Sequence, residues 1–150
     1  MSRFRSLSKH TLDSKGRLII PVPLRKVLRD RYDSEDLIVT HWVECLRVYP
    51  VVEWEAVEER LLTGENTTPE FAQFARYAIA GVCECSVDKQ GRILVPPTLR
   101  SEMEIGKEVA VVGMLRHFEI WDQQAWHAEA ADAKQNYPVV KPDLQRLRIF

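Results

Sequence analysis

The polar and apolar positions of this chain form one pattern that is laid down twice. Residues 5–12 alternate loosely between polar and apolar, the period of a half-buried strand. Asp13-Ser14-Lys15-Gly16 interrupts the alternation with turn chemistry. Aspartate at the first position accepts a bond from a backbone N–H two residues on, and glycine at the last takes a positive φ without a Cβ clash. The β-branched stretch Arg17-Leu18-Ile19-Ile20 returns and Pro21 closes it, so residues 5–20 predict a β-hairpin with basic residues at its tip. Pro23 suits the first turn of a short helix from Leu24 to Arg31, with Leu24, Val27 and Leu28 on one face. Leu37–Thr40 and Cys45–Tyr49 predict a second pair of strands. A helix over Val52–Leu62 follows, with Trp54, Val57 and Leu61 as one apolar stripe.

The same plan then returns. Strand Val82–Val87, turn Asp88–Gly91, strand Arg92–Val95 and a short helix from Thr98 repeat the first half. Strands Glu108–Val112 and His117–Trp121 lead into a helix over Gln123–Lys134, with Asp122 as its N-cap and Trp126, Ala130 and Ala133 as its stripe. Residues 11–28 align with residues 86–103, placing Asp13 on Asp88, Gly16 on Gly91, Arg17 on Arg92, Leu24 on Leu99 and Arg25 on Arg100. Leu46–Trp54 likewise aligns with Phe118–Trp126. Duplication of a whole supersecondary unit predicts a pseudo-twofold object, and two copies are too few for a solenoid, so they pack into one core. The predicted organisation is a first repeat at 7–54, a helical linker at 55–80, a second repeat at 81–126, and a C-terminal helix and tail at 127–150. In the linker, Thr67 or Thr68 caps a helix that Pro69 and Glu70 open, Phe71, Phe74 and Ala78 stripe, and Gly81 stops. The tail from Tyr137 has no clear period. Its Leu144, Leu147, Ile149 and Phe150 make it too apolar for an inert end, and it is expected to dock on a neighbouring subunit. The tryptophans read as core anchors. The fold class is mainly β with short helices, α+β.

Composition changes this picture little, and charge changes it more. A chain of 150 residues with 45% hydrophobic content suits one domain or two halves sharing a core. No apolar run approaches the roughly 20 residues of a membrane span, so no membrane partner is expected. The basic start MSRFRSLSKH leads into a polar turn, which is not signal-peptide chemistry. Three cysteines cannot all pair within the chain, so a reduced, cytosolic protein is expected. The net charge of −1 hides an asymmetry: residues 1–31 hold nine basic and two acidic residues. Local potential, not total charge, attracts polyanions.

No enzyme constellation emerges. The histidines (His10, His41, His117, His127) have no carboxylate or nucleophile at a familiar spacing, and no catalytic residue is assigned. Cys83-x-Cys85 lacks a second ligand pair, and on a strand the two thiols share a face and pack as small hydrophobes. No metal, cofactor or small-molecule substrate is expected. Lys15-Gly16-Arg17 lacks the first glycine and the Ser/Thr of a phosphate loop. What remains is the doubled Asp-x-x-x-Arg turn. Its bland reading is a turn closed by Asp with Arg as a surface ion pair of about 0–1 kcal/mol. Its functional reading has Asp13, Gly16, Asp88 and Gly91 shaping loops that aim Arg17 and Arg92 at phosphate or at guanine. Lys9, Lys15, Arg25 and Lys26 crowd the first copy, whereas Lys89 and Arg92 stand beside Glu84 in the second, so the first is expected to carry most binding.

Phe4-Arg5, then Leu12-Asp13-Ser14-Lys15-Gly16-Arg17-Leu18, then Pro21 resemble the start of the bacterial MraZ family, and Cys83 to Pro96 resembles its second half. The resemblance runs to about residue 130, with one departure at Ser6, where the family usually has glycine. Either turn alone would indicate only the wider AbrB/SpoVT/MazE superfamily. The resemblance implies a duplicated AbrB/SpoVT-like swapped-hairpin (double-split) β-barrel formed by two pseudo-twofold halves of one chain. It further implies a sequence-specific transcriptional regulator that binds double-stranded DNA with tandem repeats upstream of the division and cell-wall gene cluster, its own gene included. A homo-oligomer, a closed ring, is implied as well. The positive surface is then Arg5, Lys9, Lys15, Arg17, Arg25, Lys26, Lys89 and Arg92, with Arg17 touching a base. The rivals are an antitoxin-like protein-interaction module and an enzyme whose pocket would collect His41, Asp88 or Cys85.

Overall fold

A computed structural model describes residues 2–65 and 68–150. The first half of the chain forms β1 (Leu7–Thr11), β2 (Arg17–Ile19), α1 (Val22–Val27), β3 (Asp36–His41), β4 (Leu46–Pro50) and α2 (Val51–Thr63). Helix α3 (Pro69–Ala80) connects the halves. The second half forms β5 (Cys83–Ser86), β6 (Arg92–Leu94), α4 (Pro97–Glu102), β7 (Glu108–Gly113), β8 (Phe118–Asp122) and α5 (Gln123–Gln135), and α6 (Tyr137–Arg146) follows. The architecture is α+β and dominated by sheet, as expected. Helix α1 starts with proline in its first turn and buries Leu24 and Val27. It widens into a π-helical turn, Leu28–Tyr32, that Asp33 ends in the left-handed region at φ 48°. The expected cap on α3 falls to Thr68, whose hydroxyl accepts from Phe71 N at 3.1 Å. Thr67 lies outside the described residues.

Strand pairing runs between the halves. A six-stranded antiparallel sheet has the order β1-β7-β8-β4-β3-β5, and a separate two-stranded ribbon pairs β2 with β6. The hairpin predicted over residues 5–20 is therefore not a hairpin. Its turn closes, with Asp13 N donating to Arg17 O at 3.1 Å, but β1 departs to β7 and β2 to β6. Period-2 alternation sets which face a strand buries and leaves its partner undetermined. The adjacent strand pairs β3–β4 and β7–β8 form as expected. Among the described residues these pairings make two sheets and close no barrel.

The main core lies under both sheets, beside smaller clusters around Trp54 and Trp121. Leu12, Leu18, Ile20, Leu28 and Leu37 from the first half pack with Ile93, Val95, Leu99, Phe118 and Ile120 from the second, all buried. Phe4 joins them, edge-on to Phe118 at 5.5 Å between ring centroids. At the sheet centre β4 pairs with β8, which sets Arg47 opposite Glu119. These are equivalent positions of the two repeats, and they carry opposite charges across the pseudo-twofold. Glu119 is only 6% exposed; it faces Arg47 Nε at 3.7 Å and accepts from Trp121 Nε1 at 2.9 Å.

Each long helix after a β-pair is anchored by the same device. Trp54 of α2 lies against Tyr49 at 5.2 Å, and Trp126 of α5 lies edge-on to Trp121, the equivalent of Tyr49, at 5.6 Å. Trp54 and Trp121 are buried, whereas Trp42 and Trp126 are half-buried. Helix α3 is clipped to β3 at its C-terminal carbonyls: Thr40 Oγ1 donates to Ala78 O and His41 Nε2 to Tyr77 O. The tail departs from expectation by being helical. Pro138 opens α6, Pro142 sits inside it, and the two hide its period from the sequence. No α6 side chain is buried; Val139, Leu147, Ile149 and Phe150 stand exposed at the end of the chain.

Replacing Trp54 with alanine should cost about 3–5 kcal/mol in a denaturant titration, since the ring is buried among Ile38 and Tyr49. An unchanged midpoint would contradict the anchoring role.

Candidate nucleic-acid interface

The doubled turn is built identically in both halves. Asp13 Oδ1 accepts from Lys15 N at 2.9 Å and Arg17 N at 2.8 Å, and its Oδ2 accepts from Arg17 Nε at 2.6 Å. Asp88 repeats this with Gln90 N and Arg92 N, both at 2.9 Å, and with Arg92 Nε at 2.9 Å. The turn amides of Gly16 and Gly91 donate back to the Asp13 and Asp88 carbonyls at 2.9 and 3.0 Å. Both glycines hold φ near +80°, at 79° and 81°. The aspartate thus spans the turn and orients the arginine at once. Backbone and side-chain bonds from Arg17 and the Lys15 amide hold the Asp13 carboxyl down to about 2, and the same pattern lowers Asp88.

The two turns reach one surface because their strands pair. In the β2–β6 ribbon Arg17 lies opposite Leu94, Leu18 opposite Ile93, and Ile19 opposite Arg92. Leu18 and Ile93 point into the core, so the outer face carries Arg17, Ile19, Arg92 and Leu94. Each turn is also completed from the opposite half. A Cβ on Gly16 would stand 2.7 Å from the Arg100 guanidinium, and one on Gly91 2.9 Å from that of Arg25. Glycine at these sites therefore serves φ and lets an arginine of the other repeat lie across the turn.

The expected cations are not equally placed. Lys15 and Lys89 are exposed in the two turns, and Lys26 is exposed in the last turn of α1. Arg25 is half-buried and forms an ion pair with Glu35, Nε to Oε2 at 3.2 Å. Lys9 Nζ meets His127 Nε2 at 3.3 Å, and Lys9 shares a shallow groove of about 400 Å³ with His10 and Ile19. Arg5 is exposed and lines a separate cleft with Pro21, Pro23 and Leu24. Burial lowers the His10 pKa and so disfavours a charge on that ring. Two arginines neutralised by aspartate and one by glutamate make the net potential smaller than the count of basic residues. Arg100 escaped the sequence reading. The repeat alignment that put it on Arg25 was the available signal, but its proximity to Gly16 exists only through the strand exchange.

The depression containing Cys85 is lined by Asp36, Leu37, Ile38, Val51, Glu84 and Ser86, and by neither His41 nor Asp88. Burial pushes the Cys85 thiol up to about 12, which suits a packing role. Among the described residues no group of three or more His, Cys, Asp or Glu side chains is arranged to hold a metal ion. No described helix is long and apolar enough to cross a membrane.

The chain is a duplicated α+β protein that exchanges strands between its halves and displays two Asp–Arg turns on a shared ribbon. It belongs to the MraZ family. The family model described as "MraZ protein, putative antitoxin-like" matches residues 4–76 and 78–145. A protein of Syntrophobacter fumaroxidans named "Transcriptional regulator MraZ" is 42% identical over 134 residues, covering 89% of each chain. Proteins of the same name from Desulfitobacterium hafniense and Desulforamulus reducens are 39% and 42% identical, covering 93% and 86% of this chain and 95% and 88% of theirs. These relatives are named as regulators and the family is not one of enzymes, in line with the sequence reading.

The lowered Asp13 pKa carries a pH signature. A carboxyl depressed in the folded state contributes stability that is fully present above its unfolded value of about 3.9 and lost as pH falls through the folded value. The difference in urea midpoint between wild type and Asp13→Asn should shrink between about pH 5 and about pH 2. A difference that stays constant over that range would show that the charge of Asp13 does not support the turn.

Proposed function

We propose that this protein is a sequence-specific DNA-binding transcriptional regulator that docks the β2–β6 ribbon on double-stranded DNA. The observation that carries the reading is the juxtaposition of two rigid Asp–Arg turns on one outward face, edged by Lys15 and Lys89. A two-stranded ribbon fits the major groove, where arginine recognises guanine through O6 and N7. Arg17 contacts a base; Arg5, Lys9, Lys15, Arg25, Lys26, Lys89 and Arg92 serve phosphates, which position the protein without reading sequence. Asp13, Gly16, Asp88 and Gly91 hold the loops. The names of the relatives support regulation of transcription.

The finer parts of the proposal rest on the resemblance. In this reading the exchanged strands are the swapped-hairpin barrel plan, with repeats at 7–54 and 81–126. The target is a set of tandem short repeats upstream of the division and cell-wall cluster, the protein's own gene among them, in the cytoplasm and on the nucleoid. One subunit makes few contacts, so several subunits in a closed ring gain affinity on repeated sites through effective concentration. A second reading, a protein-interaction module of antitoxin type with secondary DNA binding, draws on the exposed Val139, Leu147, Ile149 and Phe150.

Binding to a duplex from immediately upstream of the gene, against a scrambled duplex over a salt series, tests the proposal. Preference for the upstream duplex with an affinity that falls steeply with salt is expected. Equal weak binding to both would turn the search to a protein partner. Arg17→Ala should abolish the preference with about 1 kcal/mol or less lost in stability, because its ion pair is partly exposed. Wild-type affinity in that variant would remove Arg17 from the interface. Arg92→Ala should weaken binding less, and an equal loss would mean that both halves read the duplex.

A further inference from the structure

The ribbon exposes two aliphatic side chains that the fold does not use. Ile19 is 62% exposed and Leu94 48% exposed, and they occupy equivalent positions of the two repeats. A single exposed aliphatic residue is ordinary. The arrangement here is not single: Ile19 lies opposite Arg92 and Leu94 opposite Arg17. The outer face is thus a quartet with guanidiniums on one diagonal and aliphatic groups on the other. Leu18 and Ile93 already anchor the ribbon to the core from its inner face, so a polar residue at either outer position would serve the fold equally well.

The pattern selects its occupant. A hydrophobic protein partner needs a contiguous apolar patch, and here each aliphatic group is bracketed by a guanidinium, with Lys15 and Lys89 exposed in the adjoining turns. The major groove presents matching groups along one face, the O6 and N7 acceptors of guanine and the C5-methyl of thymine. Same-face residues two apart on a strand are separated by roughly 7 Å, about two base-pair steps at roughly 3.4 Å each. We infer that Ile19 and Leu94 are specificity-determining residues that contact thymine methyl groups near the guanine met by Arg17. This inference rests on the DNA-binding reading of the same ribbon.

Replacing thymine by deoxyuridine removes the methyl and leaves pairing unchanged, so it isolates the proposed contact. In the upstream duplex, thymines replaced one at a time should reveal positions where wild-type affinity falls about four-fold, the burial of one methyl-sized group. Ile19→Ala and Leu94→Ala should bind the thymine duplex less tightly and no longer distinguish it from the deoxyuridine duplex. Their melting should match wild type. A wild-type protein that prefers its upstream duplex, loses that preference with Arg17→Ala, and ignores every thymine replacement would overturn the methyl contact while leaving the DNA reading intact. Indifference of binding to Arg17→Ala and to thymine replacement alike would overturn both. Altered self-association of Ile19→Ala with unchanged DNA binding would assign the two side chains to an interface between copies instead.

Discussion

The structure depends on the exchange of strands between its two halves. Strand β1 finds its backbone partner in β7, β5 finds its partner in β3, and β2 and β6 pair with each other. Buried backbone groups have to be paired, so neither half could complete its own sheet if separated from the other. The core shared by both halves follows from this, with Leu18 and Ile93 meeting beneath the ribbon and Phe118 and Ile120 packing with residues of the first half. Duplication within one chain supplies both partners at fixed stoichiometry and high effective concentration.

The same exchange creates the site. Separate hairpins would each display an Asp–Arg turn, but pairing β2 with β6 sets Arg17 and Arg92 diagonally on one face. It also carries Arg100 to the Gly16 turn and Arg25 to the Gly91 turn. The expectation that the first copy dominates was drawn from linear charge density. The strand exchange moves one arginine each way, so each turn is flanked by an arginine of its own half and one of the other. Asp13 and Asp88 trade potential for order: each neutralises its arginine and fixes its direction through bonds that also close the turn. Such preorganisation lowers the ordering cost of whatever contact the arginines make.

The sequence by itself determined the elements, the duplication and the local chemistry of the turns. These depend on interactions within a few residues, which leave a local trace: Asp13 to Lys15 and Arg17, glycine at positive φ, the Trp54 stripe, the caps at Thr68 and Asp122. Only the tertiary structure decided which strands pair, because an alternating strand records its buried face and not its neighbour. It therefore alone decided that the predicted hairpin opens, that Arg47 meets Glu119 across the centre, and that Ile19 and Leu94 share a face with two arginines. The helix at Tyr137–Arg146 escaped the sequence for a local reason, because its prolines mask its period. Long-range pairing is a property of two segments together, and no single segment encodes it.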